Sequence, residues 1–234
     1  MNPSRISLGS ESFLLFPSAC CTETVDEIIN RYIEENLVFI LPSIEEDFKI
    51  AAFKNKKPLI EYYSSAICAA HYLIEKMGLP LSEITFETPN GKIEIFNTGA
   101  CKFTASIDRC KFLFAKEEEF QGCYIECVDV LLLRHIKAMI SKDSESFSKD
   151  ALKEILMQSV DVFATLACFS KSCDYFAFTP HRMEFTDFYA ALLREYLSFL
   201  LGREDLHLGN NSLIFKFSPG NVRICANPIT EYQN

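Results

Sequence analysis

The sequence contains no tryptophan, so its 21 phenylalanines must fill most aromatic positions of any core. It has no Cys-x-x-Cys pair, which removes the commonest zinc-binding spacing. Its ten cysteines show no framework spacing, and most of them, such as Cys68, Cys127, Cys168 and Cys225, lie in apolar runs. A disulfide-stapled secreted domain is not expected from that pattern, nor would a chain of 234 residues need staples. The cysteines read as small hydrophobes in a reducing, cytoplasmic compartment. No apolar run reaches the roughly 18 to 20 residues of a membrane helix. The N-terminus MNPSRISLGSESF lacks the apolar stretch of a signal peptide, so a soluble protein without membrane contact is expected. Positive charge is in deficit. A formal net charge of −9 argues against a nucleic-acid binder, which would need clustered Lys and Arg to displace counterions. No phosphate loop, Ser-His-Asp order or metal-ligating cluster is present, so neither a metal nor a cofactor is expected.

What remains is a composition 49% hydrophobic and 24% charged, enough to bury a core in two halves of ordinary domain size. Patterning predicts strands at Ser12–Phe16, Leu37–Leu41 and Phe48–Phe53, with a helix capped by Thr24 or Asp26 and running to about Glu35. The stretch Tyr62–Tyr72 opens a helix apolar on most sides, which marks it as buried; it should run to Met77 and stop at Gly78. Ser64 and Ser65 are its expected caps. Pro89-Asn90-Gly91 predicts a hairpin between Ile84–Thr88 and Lys92–Phe96. Lys102–Ser106 and Cys110–Phe114 read as strands, and the charged run Lys116–Phe120 as a break. Beyond it come strands at Tyr124–Leu133, Val160–Cys168 and Tyr175–Phe178, and a helix from Ser148 or Asp150 to about Gln158. An apolar helix over Asp187–Leu201 and a closing hairpin, Ser212–Phe217 with Asn221–Ala226 around Pro219-Gly220, complete the chain.

The two hairpins align without a gap: ITFETPNGKIEI from Ile84 matches LIFKFSPGNVRI from Leu213. Phe86 falls on Phe215, Gly91 on Gly220, and the matched positions alternate as one strand face requires. Each hairpin follows an apolar helix ending in glycine, and each helix follows a strand and a loop. An internal duplication is therefore expected, with domains at residues 1–116 and 117–234. Each would wrap a mainly antiparallel sheet around a buried helix, an α+β fold with two pseudo-symmetric domains. Both helix N-termini would face the interface, where their free N–H groups favour a carboxylate or phosphate.

DFKIAAF, IEYYSSAICAAHYLIEKMGL and ITFETPNGKIEI together resemble the diaminopimelate epimerase fold, shared with phenazine-biosynthesis-type isomerases and proline racemases. The resemblance covers most of the chain and is clearest over Glu46–Ile95. SLGSESFLLF is similar to the opening strand of the epimerases, and YFAFTPHRMEF with its following helix to the second half of the phenazine type. The resemblance implies cofactor-independent exchange of an α-proton between two opposed thiols, each at a helix N-terminus that also holds the substrate carboxylate. The first family Cys falls on Tyr62, and its Gly-Asn-Gly falls on Tyr63, Ser64 and Ser65. The second should fall between Thr186 and Tyr189, where no Cys stands. The opening-strand Asn falls on Ser10 or Glu11. The phenazine-type catalytic Glu falls near Glu34–Leu37, without its surrounding motif.

The expected function follows from these losses. The chain should be a catalytically degenerate epimerase-like protein that binds a small carboxylate-bearing molecule, or a partner in a homo- or hetero-oligomer, at the interdomain cleft. The alternative is an isomerase working with non-thiol groups, Glu184 and Tyr62 being the candidates. Tyr62, Tyr63, Ser64, Ser65, Thr186 and Asp187 are the candidate ligand contacts. His181 and Arg182 stand near the second helix and can meet an anion. Asp187 reads as that helix's cap, His71 as a buried structural group, and Lys54, Lys56 and Lys57 as a solvated loop. Glu34 and Glu35 are expected to face solvent.

Overall fold

The computed structural model describes residues 3–18, 23–100, 102–108, 111–120, 123–132, 136–141, 164–169, 175–178, 184, 186–201, 212–218 and 221–231. In chain order the elements are β1 (Ser4–Leu8), β2 (Glu11–Pro17), α1 (Val25–Arg31), β3 (Asn36–Leu41), β4 (Phe48–Lys54), β5 (Lys57–Pro58) and α2 (Tyr63–His71). There follow β6 (Glu83–Thr88), β7 (Gly91–Gly99), β8 (Lys102–Asp108), β9 (Lys111–Phe120), β10 (Cys123–Leu132), β11 (Ile136–Ser141), β12 (Ala164–Phe169) and β13 (Tyr175–Phe178). The chain closes with α3 (Asp187–Leu201), β14 (Leu213–Ser218), β15 (Asn221–Ala226) and β16 (Ile229–Glu231).

Eleven strands form one mixed sheet in the order β14-β15-β8-β7-β6-β4-β3-β2-β1-β16, with β5 beside β4. Its pairs are antiparallel except β2 with β3 and β4 with β6. The remaining five make a second sheet, β13-β12-β11-β10-β9, with one parallel pair, β11 with β12. The fold is α+β. The last hairpin and the last strand belong to the first sheet: β15 pairs with β8, and β16 with β1.

The first sheet wraps α2. All nine residues of this helix are buried, as its all-round apolar sequence predicts. The inward alternates of the surrounding strands meet it, among them Phe13, Phe86 and Phe103, all fully buried. Each such side chain contributes about 1.5–3 kcal/mol of burial. After His71 the helix widens into a π-helical turn over Tyr72–Lys76, with Met77 N–H donating to Tyr72 O (3.2 Å), and it closes at Gly78 in the left-handed region (φ +69°). The outer face of the same sheet carries a smaller cluster, Leu14, Phe16, Leu37 and Phe39 under Ile28 and Ile29 of α1. Helix α3 packs against β11, β12 and β14.

Several expectations need correction. Helix α1 begins at the Thr24 cap, which forms a full capping box with Glu27, but it ends at Arg31 rather than near Glu35. The run Lys116–Phe120 is no break: it is the end of β9, paired from Lys116 with Cys127 to Phe120 with Cys123. Ladder pairing there overrides the weak strand propensity of Lys and Glu. Strand β11 was not expected. The predicted helix near residues 148–158, the turn at 219–220, and His181 and Arg182 lie outside the described residues. Among the described residues no helix is long and apolar enough to cross a membrane.

Candidate functional site

The segments leading into α2 and α3 run side by side. Leu59 and Glu184 form a parallel bridge, Ile60 N–H donates to Glu184 O (3.0 Å) and Glu184 N–H to Pro58 O (2.9 Å). The two helix N-termini therefore emerge next to each other, flanked by the turn between β1 and β2.

Glu61 is the centre of this meeting point. It is 0% exposed. Its carboxylate accepts from Ser64 N–H (2.8 Å), Ser64 Oγ (3.1 Å) and Thr186 Oγ1 (2.7 Å). One carboxylate thus bridges the start of α2 and the residue before α3. Burial pushes its pKa up, against the hydrogen bonds from Thr186, Ser64 and the Tyr63 backbone. This overturns the expected capping by Ser64 and Ser65. The helix starts at Tyr63, the Tyr62 side chain makes no capping bond, and the free N–H of Ser64 goes to Glu61. A carboxyl group placed at a positive helix end is the stronger acceptor there. Ser64 acts as a donor to it, and the Ser65 hydroxyl is buried with no hydrogen-bond partner among the described residues.

A second carboxylate stands at the other helix. Glu11, at the start of β2, is 8% exposed and accepts from the backbone N–H of Asp187, the first residue of α3. Lys54 lies 3.5 Å from its Oε1, which makes no hydrogen bond among the described residues. Burial raises this carboxyl to about 7, against the Asp187 N–H and Lys54, while the charges of Asp187 and Glu61 add to the rise. Beside it a pocket of ≈ 30 Å³ is lined by Ser10, Glu11, Ser64, Asp187 and Phe188, among others. Ser10 Oγ donates to Asp187 Oδ2 (3.3 Å) at its margin.

The sequence candidates scatter between site and core. Thr186 is brought to Glu61, and Asp187 lines the pocket as the first helical residue rather than as the cap. Tyr63 stacks on Phe188 across the two helices (centroids 6.0 Å, planes at 12°), and Phe188 meets Phe215 edge-on. Tyr62 is a core residue, and its burial, with Glu61 adjacent, pushes the phenol up to about 12. Glu184 is half-buried and pairs with Lys57 (2.9 Å). Lys54 and Lys56 are also engaged, with Glu11 and with the Asn30 side chain. Glu35 does not face solvent freely but forms a bidentate pair with Arg5 (2.9 and 2.7 Å). His71 is buried as expected, its Nε2 3.0 Å from Thr230 Oγ1, and burial lowers its pKa. Cys68 is buried in α2 and is pushed well above the usual thiol range by burial, with Glu11 and Glu61 nearby, so it is a hydrophobe and no nucleophile.

Glu61 escaped the sequence reading, although a signal for it exists. It is the one acidic or basic residue, His71 aside, between Lys57 and Glu75, inside an otherwise apolar run. Such a residue has to be hydrogen-bonded if the run is buried.

Neither family models nor curated proteins match the sequence. Solved structures do match. A PhzC/PhzF phenazine-biosynthesis protein from Clostridium difficile (strain 630) superposes with TM-score 0.61 at 12% identity, over 99% of this chain and 97% of that one. A phenazine-biosynthesis PhzF-family protein from Enterococcus faecalis gives 0.56 at 12%, over 97% and 95%. A hydroxyproline epimerase from Agrobacterium vitis, with bound trans-4-hydroxy-L-proline, gives 0.53 at 9%, over 98% and 90%. These proteins share one architecture across nearly their full lengths, and this chain has it too: the diaminopimelate epimerase-like fold.

Proposed function

We propose that this protein is a catalytically degenerate member of the epimerase-like fold, a closed binding scaffold whose former cleft has become part of the core. The filled cleft carries the reading. Tyr63 stacks on Phe188 between the helix N-termini, Glu61 takes the Ser64 N–H and the Thr186 hydroxyl, and the pocket that the described residues form there is ≈ 30 Å³. Pockets that hold small molecules run to about 300–1,000 Å³, so the pocket formed by the described residues is too small for an amino acid. No thiol stands at either helix start: position 62 is Tyr and positions 186 to 189 are Thr, Asp, Phe and Tyr. Tyr62, with its phenol pushed up to about 12, is no base at neutral pH, and Glu184 is committed to Lys57. The pocket margin carries two acidic side chains, Glu11 and Asp187, and its lining holds no basic one to receive a small acid. A protein partner, identical or different, fits this arrangement better than a carboxylate ligand in the cleft. Titrating the labelled protein with a panel of amino acids and short carboxylic acids tests the point. Amide signals of Ser64 and Thr186 should not move saturably; a saturable shift at both would overturn the closed-cleft reading.

One observation favours the alternative, a cofactor-independent amino-acid epimerase with a non-thiol acid/base group. Glu11 lines the pocket, and its carboxyl is raised to about 7, the range a general acid/base uses. In that reading Glu11 replaces Glu184 and Tyr62 as the candidate.

We also infer that the fold arose by internal duplication, although the seam expected at residues 116 and 117 falls inside β9. The sheet order β14-β15-β8-β7-β6 supports this, since it places the two similar hairpins on either side of β8.

A further inference from the structure

We propose that the protein forms a two-fold symmetric dimer through the outer face of β7, β8, β15 and β14, with Glu94 of one copy meeting Arg223 of the other. The inference rests on the reading of the chain as a scaffold for a protein partner, and it names that partner as a second copy. The outer face of the large sheet differs along its width. Over β2 and β3 it is apolar and covered by α1. Over β7, β8 and β15 the outward positions are exposed or half-buried, while their alternates, such as Ile95, Phe103 and Ile224, face the core.

The strand registers place an apolar row across this bare face. Phe96 is opposite Thr104, Thr104 opposite Cys225, and Cys225 opposite Ile214. Phe96 is 40% and Ile214 42% exposed, and Cys225 is a half-buried free thiol between them. One exposed apolar residue needs no explanation, but two on a single cross-strand row make a patch. Two residues further along each strand the outward positions are Glu94, Ser106, Arg223 and Lys216, so that row is acidic at one side and basic at the other. Arg223 stands opposite Lys216, both are exposed, and among the described residues neither forms an ion pair. Like charges directly opposite destabilise a strand pair, so this one calls for an acid that its own neighbours do not supply.

A two-fold axis in the plane of the interface, close to the direction of β8, supplies it. Such an axis lays β7 of one copy over β15 of the other. Glu94 then meets Arg223 on both sides, Phe96 meets Cys225 and the neighbouring Ile214, and Thr104 lies near its symmetry mate. A face acidic at one side and basic at the other is thereby its own complement, and the isologous contact closes at two copies. Sheets pack face to face in this manner with their strands within about 30° of each other. With strands about 4.8 Å apart and outward residues about 7 Å apart along them, the face offers about 500 Å² on each copy. The total of about 1,000 Å² is at the lower limit for a specific interface, so the dimer is weak and reversible.

Sedimentation equilibrium of the full chain from about 1 μM to 1 mM tests this, since a weak interface dissociates in that range. Wild type should show a reversible monomer–dimer equilibrium. Glu94→Arg sets two arginines against each other at each contact, and Arg223→Glu two glutamates, so each variant alone should dimerise about tenfold more weakly. An equimolar mixture of the two variants restores both opposite-charge pairs in the heterodimer and should associate as wild type does. Phe96→Ser should weaken association without any change of charge. All three side chains are exposed, so the urea midpoints of the variants should stay near that of wild type. A wild type that is monomeric throughout would overturn the proposal. So would a dimer indifferent to both charge reversals, or a mixture that associates no better than either variant alone. The amino-acid titration read at Ser64 and Thr186 probes the closed cleft and not this face, so a failure there and a failure here are told apart.

Discussion

Replacing Glu11 by Gln should stabilise the protein at neutral and alkaline pH while leaving it unchanged in acid. The carboxyl is buried at the start of α3 and raised from 4.5 to about 7, chiefly by burial. Between those values the folded protein holds a proton that the unfolded chain releases. The stability this group contributes is therefore fully present below about pH 4.5 and is lost as pH rises through about 7. At about 1.4 kcal/mol for each tenfold change in proton affinity, the loss reaches about 3 kcal/mol by pH 8. Gln mimics the protonated side chain and can still accept the Asp187 N–H. It gives up the 3.5 Å contact to Lys54, a small loss because that lysine is partly exposed. Other groups titrate too. Glu61 is raised by burial and acts in the same sense, whereas His71 is lowered and loses stability as pH falls through its ordinary range. The wild-type profile mixes all three, but the difference between Glu11→Gln and wild type isolates Glu11. Urea denaturation of both proteins from pH 5 to 8 should show a difference growing from about 1 kcal/mol to about 3 kcal/mol in favour of the variant. A flat difference, or a variant less stable at pH 8, would refute the burial argument.

Other substitutions probe other links. Tyr63→Ala removes the stack on Phe188 and should cost about 3 kcal/mol by denaturation while enlarging the pocket in a crystal structure. Thr24→Ala breaks the capping box of α1 and should cost about 1 kcal/mol. Glu184→Gln weakens a partly exposed pair with Lys57 and should change stability by less than about 1 kcal/mol, visible as an unchanged urea midpoint; a loss of several times that would assign Glu184 a role the geometry denies it.

The sequence was most legible where local and global preferences agree. The helix Asp187–Leu201 was readable because an acidic start opens an apolar run, and the Thr88–Gly91 turn because Pro89-Asn90-Gly91 has few other conformations. Helix α2 was legible as buried because no polar face exists along it. Interactions between distant segments were hidden. Nothing local says that β15 will pair with β8 or β16 with β1. The acidic end of β9 was misread because propensity cannot see a partner strand. At the helix starts, Thr186, Asp187, Ser64 and Tyr63 were singled out as ligand contacts from their places in the chain; the structure puts Ser64 and Thr186 on Glu61 and Tyr63 on Phe188. Glu61 was missed because its meaning depends on a hydroxyl 125 residues away.

The central claim is that the chemistry of the fold has been lost here, and incubation in deuterated water with a panel of free amino acids addresses it directly. Following the α-proton signals by NMR, the account predicts no exchange above the uncatalysed rate for any of them. Clear exchange with one amino acid, abolished by Glu11→Gln, would contradict it and make Glu11 the acid/base group of a working isomerase.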